Sequence, residues 1–284
     1  MVRSNMIVNC PVTFSDVKNA KLIFGPDITS LKVKSVRHKP DSFVTDYVEI
    51  PREILESRKE LEVSTDIMFN NKLPFLVSII PRMKFATIDY LSSKNDIAIV
   101  TSINKMVSYY RSHGLHVGTM FIDPEFKSLE ENVVSTTLNT TGARDHVPEV
   151  ERQIQVINEH MRAHHTNLPF PRFTRRMDVE LAKHVVIFLN AFPSNSVLSK
   201  TYTPHTIMTG KALDWKKSCK LHFGAYAQVH EDRNVTNTLE DRTQGAICLG
   251  PTGNLQGTYN CFSPRSGKKI PAENSQRYPP PRSS

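Results

Sequence analysis

Three acidic residues stand where a carboxylate cluster can form: Asp66, Asp123 and Glu151. The stretch Leu61 to Phe69 alternates with period two, the mark of a strand. Asp66 lies on the face opposite Leu61, Val63 and Ile67. Asp123 stops the apolar run Val117 to Ile122 on a charge. Glu151 falls in the first turns of a helix opened by Pro148, a favoured first-turn residue. In open α/β sheets, sites form at strand ends and adjoining helix termini. Three carboxylates gathered there repel one another unless a cation bridges them, and hard oxygen ligands favour Mg²⁺ or Mn²⁺. Two such ions clamp the attacking and leaving oxygens of a phosphoryl displacement. Glu149 rivals Glu151, and Asp145 and Asp89 are weaker rivals. Against all of these stands chance placement among 28 acidic residues.

The elements that position this trio read as a mixed α/β sheet. Leu61–Phe69, Phe75–Ile80 and Lys84–Leu91 form a three-strand meander, with a turn at Asn70-Asn71-Lys72. A helix over Asn95–His113 carries Val100, Ile103, Val107 and Tyr110 on one face, and Gly114 closes it. A strand over His116–Asp123, a short helix over Pro124–Asn132 and a strand over Val133–Leu138 follow. The Pro148 helix has an apolar stripe of Val150, Ile154, Ile157 and Met161, and a last helix spans Met177–Phe192. A meander followed by parallel alternation, with helices on the sheet faces, is the order of the ribonuclease-H-like fold.

Upstream, Thr13 and Asp16 mark a helix start with Val17, Ala20, Leu22 and Ile23 as its apolar residues, ending at Gly25-Pro26. Leu31–Lys39 is basic and alternating, an edge strand, an arm on DNA or a solvated linker. Downstream, alternation around Phe223 and the turns at Gly250–Asn254 and Pro264–Gly267 predict a small, barrel-like β-rich domain. The expected domains are therefore residues 1–58 as a leading segment, 59–195 as the core, 203–271 as the β-rich domain and 272–284 as a disordered tail.

The chain has 284 residues, a net charge of +8 and a pI of about 9.3. That balance favours a polyanionic partner, nucleic acid before membrane surface. The longest apolar runs are too short to span a membrane, and the N-terminus lacks a signal-peptide core, so no membrane association is expected. Arg152, Arg172, Arg175, Arg176, Lys268 and Lys269 are the candidate phosphate contacts. No motif suggests base readout, so binding is expected to be salt-sensitive and weakly sequence-selective. Cys10, Cys219, Cys248 and Cys261 include no Cys-x-x-Cys pair, and His164-His165 are adjacent. They read as buried or free groups of a reducing compartment, not a zinc site.

A family resemblance rests on particular residues. Thr203-Pro204, Ile207, Gly210-Lys211, Asp214, Phe223-Gly224, Ala227, Val229-His230, Arg242, Ala246-Ile247, Leu249-Gly250, Gly257, Tyr259, Phe262-Ser263-Pro264 and Ser266-Gly267-Lys268 resemble the segment after the catalytic core of copia-type retrotransposon integrases. Leu189-Asn190 and Phe192-Pro193 resemble that family's last core helix. Val150-Glu151-Arg152 resembles the element carrying its catalytic glutamate, and Phe75–Lys84 the strand and basic turn after its first aspartate. The resemblance covers roughly residues 60 to 271, with residues 1–58 similar to the pre-integrase segment.

The resemblance implies a polyprotein-derived integrase whose core binds two divalent ions, Mg²⁺ or Mn²⁺, and trims and joins DNA. Asp66, Asp123 and Glu151 match its metal-binding catalytic triad. Element ends and target DNA are the implied partners. A homo-multimer is the implied assembly, in the nucleus or a cytoplasmic virus-like particle. The sequence departs from the family in lacking its His-His-Cys-Cys module. Only 28 positions separate Asp123 from Glu151, and Asp145-His146-Val147-Pro148 replaces the run before the glutamate. A catalytically inactive nucleic-acid-binding remnant is therefore the alternative.

Overall fold

The computed structural model describes residues 11–25, 47–123, 125–126, 128–129, 133, 137–140, 148–169, 172–194, 198–230, 241, 243–254, 257–272 and 276–277. In chain order its elements are α1 (Phe14–Phe24), α2 (Arg52–Ser57), β1 (Glu60–Asn70), β2 (Leu73–Ile80), β3 (Phe85–Tyr90), α3 (Asp96–Ser112), β4 (His116–Ile122), β5 (Thr137–Thr140), α4 (Pro148–Thr166), α5 (Arg175–Ala191), α6 (Pro204–Thr209), α7 (Trp215–Ser218), β6 (Tyr226–His230), β7 (Thr243–Pro251), β8 (Tyr259–Phe262), β9 (Lys269–Ala272) and β10 (Gln276–Arg277). They divide into two compact units. One is Phe43–Phe223; the other combines Met1–Ser42 with Gly224–Ser284. No helix among the described residues is long and apolar enough to cross a membrane.

In the Phe43–Phe223 unit the strand order is β3-β2-β1-β4-β5. The first three are an antiparallel meander, and β4 and β5 join parallel. This is a mixed sheet with flanking helices, the ribonuclease-H-like arrangement. Alternation along β1 decides which helix each residue meets. Leu61 and Val63 enter one core with Ile99, Ile103, Val107 and Tyr110 of α3, and Ile67 packs against it. On β2, Ser78 shares that face, its Oγ lying 3.1 Å from the buried Tyr110 hydroxyl. The intervening positions Ser64, Asp66, Met68 and Asn70 turn to the other face, where α4 covers β1 and β2 and α5 covers β3.

Several boundaries differ from the sequence reading. Of the short helix expected over Pro124–Asn132, the described residues Glu125-Phe126 and Ser128-Leu129 are 3₁₀-helical. The strand after it is Thr137–Thr140, displaced from the expected 133–138. Residues 204–218 are not β-rich; they carry α6 and α7 and belong to the Phe43–Phe223 unit. Pro204 at the first helical turn and the Thr203 hydroxyl accepting from Thr206 N at 3.0 Å explain α6 locally. In the N-terminal segment α1 starts on the expected Thr13–Asp16 capping box, but none of its residues is buried. The basic stretch Leu31–Lys39 lies outside the described residues.

The second unit contains an antiparallel sheet of order β10-β6-β7-β8-β9. The strand at Leu221–Val229 begins only at Tyr226. Gln276-Arg277, in the segment expected to be a disordered tail, pairs with Gln228-Ala227. Tyr226 lies diagonally across from Gly245, where an added Cβ would overlap its hydroxyl. That hydroxyl accepts from Gln228 Nε2 at 3.0 Å. Gly245→Ala should therefore displace Tyr226 and break this bond, costing about 1–3 kcal/mol as overpacking does. Urea unfolding followed through this unit checks the value, and an unchanged midpoint would contradict the contact.

Candidate active site

Parallel pairing of β1 with β4 brings two of the carboxylates together. The register matches Val63 to Met120 and Ser64 to Phe121, after a one-residue shift at Gly118. Continued two residues further, it sets Asp66 beside Asp123, on the face covered by α4. Asp123 ends the strand by turning the chain. Its Oδ1 accepts from Glu125 N at 3.0 Å and its carbonyl from Phe126 N at 3.0 Å.

The third carboxylate is positioned through the helix. Val150 and Ile157 of α4 are buried. Asn158 Oδ1 accepts from Asn70 Nδ2 at 3.1 Å, which pins the middle of α4 over the end of β1. Glu151 lies seven residues before Asn158, about 10 Å along a helix. Asp66 lies four residues before Asn70, about 13 Å along a strand. Glu151, on the same helix, is near enough for its charge to act on Asp66.

Asp66 registers the charge of the other carboxylates. It is half-buried, and its Oδ1 accepts from Ile67 N at 2.6 Å. Burial pushes its carboxyl above the usual carboxylate value; the Ile67 bond opposes the shift, and the charges of Asp123, Glu151 and Glu125 add to it. Glu149 is not among these charges. Asp89 is engaged elsewhere, with Lys105 Nζ at 2.8 Å and Ser102 Oγ at 3.0 Å. Asp145 lies outside the described residues.

Glu125 is a residue to which the sequence reading gave no role. It lies two positions after Asp123 and pairs with Lys94 Nζ at 2.8 Å. Its Asp-x-Glu spacing was visible, but nothing in the sequence linked it to Lys94, 31 positions away. The Asn70–Asn158 tie was equally hidden.

An all-oxygen donor set has the chemistry of a hard-cation site. Asp123 and Glu151 are exposed. Among the described residues no three acidic, His or Cys side chains already converge at ligand distance. The donors fit such an ion in kind; a closed shell requires Asp123 and Glu151 to swing toward Asp66.

The basic candidates separate. Arg152, Arg172 and Arg176 are exposed in the same unit as the carboxylates. Arg175 is already engaged: its guanidinium donates to the Tyr90 hydroxyl and lies 5.2 Å from that ring's centre. Lys268 and Lys269 are exposed in the other unit.

No protein-family description and no curated protein matches the chain. Among solved structures, the catalytic core domain of BIV integrase aligns with a TM-score of 0.39 and 13% identity, over 52% of this chain and 92% of that one.

Proposed function

We propose that the Phe43–Phe223 unit is the catalytic core of a copia-type integrase that cuts and joins DNA with divalent metal. The observation that carries this reading is the β1–β4 register, which continues to set Asp66 beside Asp123, with the charges of Asp123 and Glu151 both acting on Asp66. Asp66 is the fixed member, held by the sheet and by Ile67 N. Asp123 and Glu151 are the exposed members. Two Mg²⁺ or Mn²⁺ ions, when bound there, supply charge stabilisation to a phosphoryl displacement. Arg152, Arg172 and Arg176 hold the DNA backbone, element ends and target alike, through phosphates and without reading bases. Assembly as a homo-multimer belongs to the same reading.

The open spacing of the three carboxylates favours a second reading, a DNA-binding remnant without turnover. A strand-transfer assay separates the two, using a blunt duplex, a supercoiled plasmid and Mg²⁺ or Mn²⁺. Metal-dependent joined product is expected. Glu151→Gln should lower it about 10²–10³-fold, the scale of losing one charge-stabilising group in a site. Glu149→Gln should leave it within about twofold, as surface changes away from a site do. Salt-sensitive DNA binding without product establishes the remnant. Equal losses in both variants would move the third carboxylate away from Glu151.

A further inference from the structure

A second cluster of ligating side chains lies away from the carboxylates. It combines two short-range pairs. His160 and His164 are one turn apart on α4, so they share a face. Cys219 and His222 are separated by two residues just after α7. Such close pairs, one on a helix and one on a turn, are the spacing structural zinc sites use. The adjacency of His164 and His165 hid the first pair, and the search for Cys-x-x-Cys hid the second.

The fold brings the pairs to one place. His160, His164, Cys219 and His222 line a single cavity of about 390 Å³ together with His184 of α5. His184 is only 5% exposed, and its Nδ1 has no hydrogen-bond partner. A buried polar nitrogen left so is costly unless something binds it. The ring centres of His164 and His184 are 5.4 Å apart. Two imidazoles bound to one tetrahedral zinc through nitrogens at about 2.0–2.1 Å place their ring centres roughly 5 Å apart.

We propose that His164, His184, Cys219 and His222 form a structural site for one zinc-class divalent cation, tying the α4–α5 pair to the segment after α7. Among the described residues no three of these side chains already meet at ligand distance. Closing the shell therefore takes side-chain rotation within the cavity, and the Cys219 thiol gives up its proton as the metal binds. His160 lies one turn from His164 at the same cavity. Soft and imidazole ligands separate this ion from the hard cations that suit Asp66.

The experiment uses the full chain, stripped with chelator and titrated with Co²⁺ and then Zn²⁺. One equivalent is expected to bind, with the visible absorption of tetrahedral Co²⁺ and a thiolate charge-transfer band. Zinc should displace the cobalt. Cys219→Ser should abolish the charge-transfer band. Cys219→Ser and His222→Ala should each weaken binding tenfold or more, within the range of about 10–100-fold seen when support of a metal shell is lost. Neither removes a buried core group, so both should fold. Asp66→Asn should bind a full equivalent, which separates this site from the carboxylates. Binding well below one equivalent to the wild-type chain overturns the proposal. So does a thiolate band that survives in Cys219→Ser, since it would place the metal at other cysteines.

Discussion

In the proposed reaction, Asp66→Asn should lower DNA joining steeply and yet raise the melting temperature of the metal-free chain at pH 7. The activity loss is expected to be about 10³-fold, the upper end of what removing one electrostatic group from a site costs. The stability gain follows from the sign of the Asp66 shift. Folding raises this carboxyl, first by burial and then by the charges of Asp123, Glu151 and Glu125. A group raised in the folded state contributes stability that is fully present below its unfolded value. That contribution is lost as pH rises through the folded value. At neutral pH the ionised Asp66 is therefore a net cost, and asparagine removes it while keeping an oxygen for Ile67 N. The difference between wild type and variant should shrink as pH falls into the carboxylate range. Added Mg²⁺ should stabilise the wild-type chain by mass action and leave the variant nearly unmoved. Thermal melts in chelator across a pH series, repeated with Mg²⁺, test each part. A variant that melts lower than wild type at pH 7 would show that Asp66 holds the fold together instead of straining it.

How much of this was legible in the sequence depends on the range of each interaction. Period-two alternation placed Asp66 opposite Leu61, Val63 and Ile67, and the sheet keeps that division. Local rules also worked where they were complete. Gly114 adopts a positive φ after α3, and Thr13 with Asp16 caps α1. Expectations failed where a local pattern was ambiguous. Leu221 to Val229 alternates, but Leu221 and Phe223 are buried in the Phe43–Phe223 unit and only Tyr226 onward is strand. Alternation records burial on one side, whatever backbone supplies it. Links between distant residues left no local trace: Asn70 with Asn158, Lys94 with Glu125, and Tyr90 with Arg175. The cation candidates suffered most from this, because charge is visible in a sequence and an engaged charge looks the same as a free one.

Asn190→Ala should be among the most destabilising single changes in the Phe43–Phe223 unit, although Asn190 touches no candidate catalytic group. β3 is an edge strand. Ala86 stands opposite Ile79 of β2, and both its backbone groups are taken up by Asn190 instead. Asn190 Oδ1 accepts from Ala86 N at 2.9 Å, and Asn190 Nδ2 donates to Ala86 O at 2.7 Å. One amide side chain on α5 thus imitates the next strand of the sheet, in a buried setting where Ala86 is 1% exposed. Alanine would leave a donor and an acceptor unpaired, at about 1–3 kcal/mol each, so a loss of about 2–6 kcal/mol is expected. For a unit of this size that is roughly a 5–20 °C drop in melting temperature. Asn190→Asp should be no better, because it keeps the acceptor for Ala86 N but sets a charge against the Ala86 carbonyl. Freed backbone on an edge strand also invites pairing with a second chain, so the variant should self-associate more readily. Urea unfolding of the transition that reports α5, with light scattering alongside, measures both effects. A loss below about 0.5 kcal/mol would mean that water replaces the amide freely, and that the edge of the sheet is open where the structure shows it closed.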